Sequence, residues 1–258
     1  MDAPWHEIVA PPQWRRIDFI SDLHLSAATP RTAAAWRDYL LNTAADAIFI
    51  LGDLFEAWVG DDARFDGFDA EGAEVLTTAA QRRHIAFMVG NRDFLVGREM
   101  LAACGVQALP DPTVLDAFDQ RVLLSHGDAW CIADVAYQQF RRQVRDPAWQ
   151  ANVLAYPLAQ RRLMANSLRS ESERQAAEHA GEWADVDRPL AVDWLQRTRS
   201  ATLIHGHTHR PGTESIAPGF TRHVLSDWDL DHAASERAEV LRWHAGGFER
   251  MSPADAQG

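Results

Sequence analysis

The sequence predicts an α/β protein, and three observations predict it. Five short runs rich in Ile, Val, Leu and Phe read as buried strands. Each run is stopped at once by aspartate, asparagine or histidine, and stretches with helical punctuation lie between the runs. Strands that alternate with helices build an α/β sheet, and polar residues at the carboxyl ends of such strands gather in one crevice. At 258 residues, 47% of them hydrophobic, the chain is long enough for one large domain or one domain with an insertion.

Residues 1–14 carry Asp2 and Glu7 before any positive charge and lack a continuous apolar stretch. They read as a loosely held N-terminal extension rather than a signal peptide, and the domain takes residues 15–258. Ile17 to Ile20 leads into Ser21-Asp22-Leu23-His24, and Ala47 to Leu51 into Gly52-Asp53. Ile85 to Val89 leads into Gly90-Asn91-Arg92-Asp93, Val122 to Leu124 into Ser125-His126-Gly127-Asp128, and Thr202 to Ile204 into His205-Gly206-His207-Thr208-His209. Thr29-Pro30 opens a helix on which Trp36, Tyr39, Leu40 and Leu41 recur at helical spacing, and Asp187 before Pro189 opens another. Near the C-terminus, Ala238 to Trp243 and Phe248 to Met251 flank Gly246-Gly247, a hairpin pattern.

Residues 131–181 break this rhythm, with helical spacing and no strand-then-ligand unit. They read as an inserted helical cap. The cap carries Arg141, Arg142, Arg145, Arg161, Arg162 and Arg169 beside Trp149, Val153, Leu154, Tyr156, Leu158, Leu163 and Met164. Two readings stand: a solvated arginine face over an ordinary helical core, or a lid that offers cations to phosphates and apolar side chains to an acyl chain or membrane surface.

The formal net charge of −12 argues against a duplex nucleic-acid binder, which needs clustered cations. All 25 basic residues are arginine, so Schiff-base chemistry through lysine is excluded. Cys104 and Cys131 form no C-x-x-C pair, which fits a reducing cytosol. No stretch reaches the roughly 18 apolar residues that a membrane span requires.

Asp22, His24, Asp53, Asn91, His126, His205 and His207 supply oxygen and imidazole nitrogen but no thiolate, a set suited to Mn, Fe or Zn ions. Seven donors exceed one ion's needs. Two ions about 3.5 to 4 Å apart need a shared carboxylate and make a strong nucleophile from the water between them. Asp53, the sole candidate ligand of its strand end, is the expected bridge. A D-x-H or a lone buried histidine is weak by itself, and an H-x-H is more specific because alternate residues of an extended segment point the same way. Asp93 and Asp128 are expected to orient ligating histidines. His209 either does the same or is a surface residue.

The blocks D-L-H, G-D, G-N-x-D, H-G and G-H-T-H, in that order over residues 20 to 210, resemble the calcineurin-like metallophosphoesterase superfamily. The resemblance implies a four-layer αββα sandwich of two mixed sheets flanked by helices, holding two Mn2+ ions. It implies that Asp22, His24, Asp53 and His207 hold one ion, and that Asp53, Asn91, His126 and His205 hold the other. Many members place a histidine after the asparagine, where this chain has Arg92. The longer strings Gly52-Asp53-Leu54-Phe55-Glu56-Ala57-Trp58-Val59-Gly60-Asp61-Asp62 and Gly90-Asn91-Arg92-Asp93-Phe94-Leu95 are similar to one branch, the UDP-2,3-diacylglucosamine pyrophosphatases of lipid A biosynthesis.

That likeness implies hydrolysis of a UDP-linked acylated glucosamine lipid at its α-phosphorus by a peripheral monomer on the cytoplasmic face of the inner membrane. It implies substrate contacts at Asn91, Arg92, Asp134, Tyr137, Ser167, Arg174 and His205, with Asp53 and Arg92 in the catalytic step. The planar fork of Arg92 suits two phosphate oxygens; pairing with Asp93 is its structural alternative. A different metal-dependent phosphodiesterase or nucleotide pyrophosphatase, and a non-catalytic scaffold, are the other readings.

Overall fold

A strand that is apolar at every position must be covered on both faces. The computed structural model, which describes residues 5–178, 184–234 and 236–258 with the side chains of 169–178 excepted, meets that demand with two stacked sheets and helices outside them. The strands are β1 (His6–Val9), β2 (Ile17–Ile20), β3 (Ala47–Leu51), β4 (His84–Met88), β5 (Gln107–Ala108), β6 (Thr113–Ala117), β7 (Gln120–Leu124), β8 (Thr202–His205), β9 (Gly212–Ala217), β10 (Phe220–Val224), β11 (Val240–His244) and β12 (Gly247–Met251). The helices are α1 (Pro30–Asn42), α2 (Gly67–Ala80), α3 (Arg98–Ala103), α4 (Val135–Val144), α5 (Pro147–Leu154), α6 (Leu158–Glu178) and α7 (Arg188–Thr198).

One sheet has the order β12-β11-β2-β3-β4-β5 and the other β1-β6-β7-β8-β10-β9. The first is parallel from β2 to β5 with the antiparallel hairpin β11–β12 added beside β2. The second mixes parallel and antiparallel pairs. Period-2 alternation then divides the side chains. Ile17, Phe19, Phe49, Leu51 and Met88 meet Leu115, Val122, Leu124 and Ile204 between the sheets. Ile20, Ile48, Ile50, Ile85 and Phe87 face Trp36, Tyr39, Leu40 and Leu76 of α1 and α2, while Val114, Leu123 and Leu203 face Ala191 and Leu195 of α7. This is the four-layer αββα sandwich.

The five strands expected from sequence form, within two residues of their anticipated ends, but they belong to two sheets: β2, β3 and β4 to one, β7 and β8 to the other. Part of the segment read as a loose extension is ordered, since β1 pairs in parallel with β6 from His6↔Thr113 to Val9↔Asp116. Pro30 stands in the first turn of α1, and the Asp187 carboxylate caps α7 by accepting from Leu190 N at 2.8 Å. The segment 131–181 supplies α4, α5 and the described part of α6.

Under α1 one strand residue breaks the apolar pattern. Asp18, fully buried on β2, accepts from Arg242 Nε at 2.7 Å and Nη2 at 2.9 Å, from Tyr39 Oη at 3.0 Å and from Thr43 Oγ1 at 3.0 Å. Arg242 Nη2 also donates to Ala256 O at 2.7 Å, tying the C-terminal turn to the same point. Such a charge is tolerable only because it is paired and fully hydrogen-bonded. Asp18→Ala, which strands the Arg242 charge, is expected to lower unfolding stability in urea by about 3 to 5 kcal/mol. Wild-type stability in that experiment would remove the pair from the account of the fold.

Candidate metal centre

The ends of β2, β3, β4, β7 and β8 open at the same rim of the sandwich, which brings the ligand candidates together. Asp53 Oδ2 lies 4.0 Å from His24 Nε2 and 3.8 Å from His126 Nε2, so its carboxylate stands between two imidazoles, as a bridge must. Its other oxygen accepts the Arg92 backbone N–H at 2.8 Å. Asn91 Oδ1 is 3.0 Å from His126 Nε2 and 2.8 Å from His207 Nδ1. Asp22, Asp53 and His126 place ligand atoms within 4.8 Å of one another, and so do Asp22, His24 and His209.

The backbone is bent to achieve this. Asp22, His24, Asp53, His207 and His209 have φ of 56°, 49°, 53°, 66° and 51°, a left-handed conformation that costs a non-glycine residue of the order of 1 kcal/mol each. Glycines make the close approaches possible. A Cβ on Gly90 would overlap Asp53 Oδ1 and stand 2.5 Å from Asp53 N, and one on Gly206 would overlap Asp22 Oδ2. These contacts give the G-N and G-H motifs their physical reason.

Backbone carbonyls orient His126 and His205. His126 Nδ1 donates to Leu51 O at 2.8 Å, which leaves its Nε2 to Asn91 Oδ1, and His205 Nδ1 donates to Gly206 O at 2.8 Å, which leaves the His205 Nε2 lone pair unused by the backbone. His205 Nε2 is buried and has no hydrogen-bond partner. A buried nitrogen in that state fits a metal ligand. Burial, followed by the Arg222 charge, pushes His205 down to about 4; burial, followed by the His126 charge, does the same to His207. Both are therefore neutral imidazoles, the form that ligates. Burial also works against charge on His126, but Asp53, Asp128 and Asp22 outweigh it and raise that ring to about 9. Burial opposes the charge on Asp22 too, and His209, His126 and His24 hold its carboxyl far below the usual range. The crevice concentrates negative charge that a cation would balance, and nitrogen and oxygen donors suit divalent Mn, Fe or Zn.

Several residues stand elsewhere than expected. The His207 ring turns to Asn91 and packs 5.5 Å from the Tyr137 ring, and only its backbone N–H reaches Asp22, at 2.9 Å. His209 instead stands 3.2 Å from His24 Nε2 and 3.4 Å from Asp22 Oδ1. The simple alternation of an extended H-x-H fails because His207 itself has positive φ. Asp93 orients no histidine: buried, it accepts from Gly90 N at 2.7 Å and Leu54 N at 2.8 Å, and burial, reinforced by the Asp53 charge, raises it to about 7. Asp128 accepts from Tyr137 Oη and Arg141 Nε, both at 2.8 Å, and so clamps α4. Arg92 does not pair with Asp93 but stands 3.5 Å from Glu56, whose other oxygen is 3.2 Å from His24 Nδ1.

Asp134 caps α4, accepting from Tyr137 N at 2.9 Å, and Ser167 Oγ donates to Leu163 O at 3.0 Å on the exposed side of α6. Arg169 and Arg174 lie outside the residues whose side chains are described. The other arginines of the segment, exposed Arg142 apart, bind groups of the protein itself: Arg145 Nη2 donates to Gly90 O at 2.8 Å, Arg161 pairs with Asp62, and Arg162 with Asp66 and Asp69. Sequence reasoning missed Glu56 and Asp227. The latter lies 3.5 Å from His209 Nδ1, just beyond β10, a strand whose run Phe220–Val224 contains polar residues and so lacks the apolar signal.

The calcineurin-like phosphoesterase family profile matches residues 15–211. A UDP-2,3-diacylglucosamine hydrolase from Stenotrophomonas maltophilia is 42% identical over 242 residues, covering 89% of this chain and 95% of its own. A protein of the same name from Ralstonia nicotianae is 45% identical over 241 residues, covering 88% and 89%. Among solved structures, a phosphoesterase from E. coli aligns over 93% of this chain and 94% of its own at 16% identity, with a TM-score of 0.45.

Gly90→Ala would drive a methyl group into Asp53. Divalent-metal affinity, read by titration calorimetry, is expected to fall at least tenfold, at the low end of the roughly 10- to 100-fold loss seen when ligand support is removed. Unchanged affinity in the folded variant would show that the close approach has no part in the site.

Proposed function

The chain belongs to the calcineurin-like phosphoesterase family, and from that premise we propose that it hydrolyses UDP-2,3-diacylglucosamine to UMP and 2,3-diacylglucosamine 1-phosphate, in lipid A biosynthesis. Two hydrolases of that name, 42% and 45% identical over nearly the whole chain, support the substrate. The observation that carries the reading is the position of Arg92, directly after Asn91. Its backbone N–H holds Asp53, and its guanidinium, 3.5 Å from Glu56 and 27% exposed, stands at the edge of the ligand cluster.

Asp22, His24 and Asp53 are the residues to hold one ion, joined there by His209, and Asp53, Asn91, His126 and His205 the other, with the His207 ring beside Asn91. Two Mn2+ ions would supply an activated water at neutral pH and neutralise charge on the phosphates. Arg92 can exchange its contact with Glu56 for a bidentate contact with phosphate oxygens, which suits the charge that builds at the α-phosphorus. Asn91, between His126 and His207, and His205 are the further groups to contact the substrate. Tyr137, held by Asp128 next to His207, borders it.

The segment 131–181 acts as the lid. Its described arginines, Arg142 excepted, are taken up by the protein's own carboxylates and carbonyls, so its offer to a lipid is apolar: Leu154, Tyr156, Leu163, Met164 and Leu168 are exposed, and so is Phe65 nearby. No helix among the described residues is long and apolar enough to cross a membrane. The protein meets its lipid from the surface, as a monomer on the cytoplasmic face of the inner membrane.

The purified chain with Mn2+ is expected to release UMP from UDP-2,3-diacylglucosamine, and Asp53→Ala to release none. Turnover of small phosphodiesters with none of the acylated substrate would overturn the reading. Arg92→Lys keeps the charge but loses the fork, and kcat is expected to fall on the order of 100-fold. Chelation should abolish activity and added Mn2+ restore it, whereas a binding scaffold would lose little.

A further inference from the structure

Arg161 is the most completely buried arginine of the segment 131–181 among the described side chains, at 4% exposure. It lies on α6, far along the chain from the metal ligands, yet both of its Nη atoms reach the loop after β3. Nη1 donates to Val59 O and, at 2.9 Å, to Asp62 Oδ1; Nη2 donates to Asp62 Oδ2; Nε donates to Tyr156 O at 2.8 Å, where α5 gives way to α6. A glycine makes room for the guanidinium. Gly60 has φ of +130°, and a Cβ there would overlap Arg161 Nη1 and come 2.8 Å from Leu154 Cδ2.

The loop that Arg161 grips also governs Arg92. Trp58, buried and packed at a tilt against Phe55 with ring centroids 4.8 Å apart, donates its backbone N–H to Arg92 O at 3.4 Å. Glu56 approaches the Arg92 guanidinium, and Asp61 accepts from Gly97 N and Met100 N at 2.8 Å each, fixing the far end of the loop to α3. One short stretch, residues 56–62, therefore touches the phosphate-binding arginine at one end and the lid helix at the other. The fork of Arg161 is suited to this because it satisfies a carboxylate and a carbonyl at once, which an ammonium cannot do in the same plane.

We propose that Arg161 is a positioning residue that locks α6 to the loop 56–62, so that the lid's apolar face and Arg92 keep one fixed spacing for a substrate with a phosphate end and an acyl end. The proposal rests on the function argued above and deepens it. A substrate that must meet Arg92 and α6 together loses affinity when the spacing relaxes, while the chemistry at the metal centre is unaltered once it is bound.

The test uses the full chain loaded with Mn2+. For Arg161→Ala, KM for UDP-2,3-diacylglucosamine is expected to rise on the order of tenfold with kcat and metal content within about twofold of wild type, the pattern of lost uniform binding. Arg161→Lys, which keeps the charge and one donor, should lie between. Wild-type KM in a folded, metal-loaded Arg161→Ala protein would overturn the proposal, and so would kcat falling in step with metal content. Amide hydrogen exchange supplies a readout independent of substrate. Faster exchange in both 158–168 and 56–62 supports the lock, and faster exchange confined to 158–168 overturns it. If wild-type protein leaves the acylated substrate intact, the functional reading fails and the exchange experiment still decides the lock.

Discussion

The structure depends on keeping two carboxylates, Asp22 and Asp53, each 1% exposed, at the mouth between two sheets. Burying charge without a partner is among the most costly things a fold can do. Everything around the pair answers that cost. Backbone N–H groups of Arg92 and His207 donate to the carboxylates, Ser21 Oγ lies 2.5 Å from Asp22 Oδ2, and histidines crowd in from both sheets. The positive φ values and the close-packed glycines are the backbone's share of the same cost. Beside neutral His205 and His207, a cation would complete the balance in place of the proton that the carboxylates hold on His126.

The sequence made part of this legible and concealed part, for physical reasons. Strands β2, β3, β4, β7 and β8 are readable because burial on both faces leaves a local record, an apolar run with a ligand at its end. The strands β1, β5, β9 and β10 leave none, since they are short, partly exposed or polar, and β6, though mostly buried, runs through a tight turn into β7. Asp227 escaped notice along with β10. The donor types of the site were legible, but the partners of each side chain were not. Adjacent residues such as Arg92 and Asp93 point to different surroundings, so Asp93 turned inward to brace the backbone and Arg92 outward to Glu56. His209 took the place beside Asp22 because positive φ at His207 breaks the alternation assumed for an extended segment.

The arginines of residues 131–181 carry a related lesson. A reversal of charge in an acidic chain suggests a surface for anionic ligands, and anions are indeed what most of them meet. They meet the protein's own: Asp62, Asp66, Asp69 and Asp128. Charge pattern along a chain reports that opposite charges will find each other, not whether the partner is substrate or scaffold.

This changes how selectivity is divided. The proposed metal ligands specify only that a phosphoester can be cleaved. On the proposed function, and with the segment's described cations taken up by the protein itself, the polar end of the substrate would be read by Arg92 and the metal centre, and the lipid end by Leu163, Met164, Leu168 and their exposed neighbours. Neither end alone distinguishes an acylated nucleotide sugar from a bare nucleotide or a bare lipid. Discrimination then resides in the distance between the two ends. A distance is held by rigid connections such as Arg161 with Asp62 and Asp128 with Arg141, which touch no ligand.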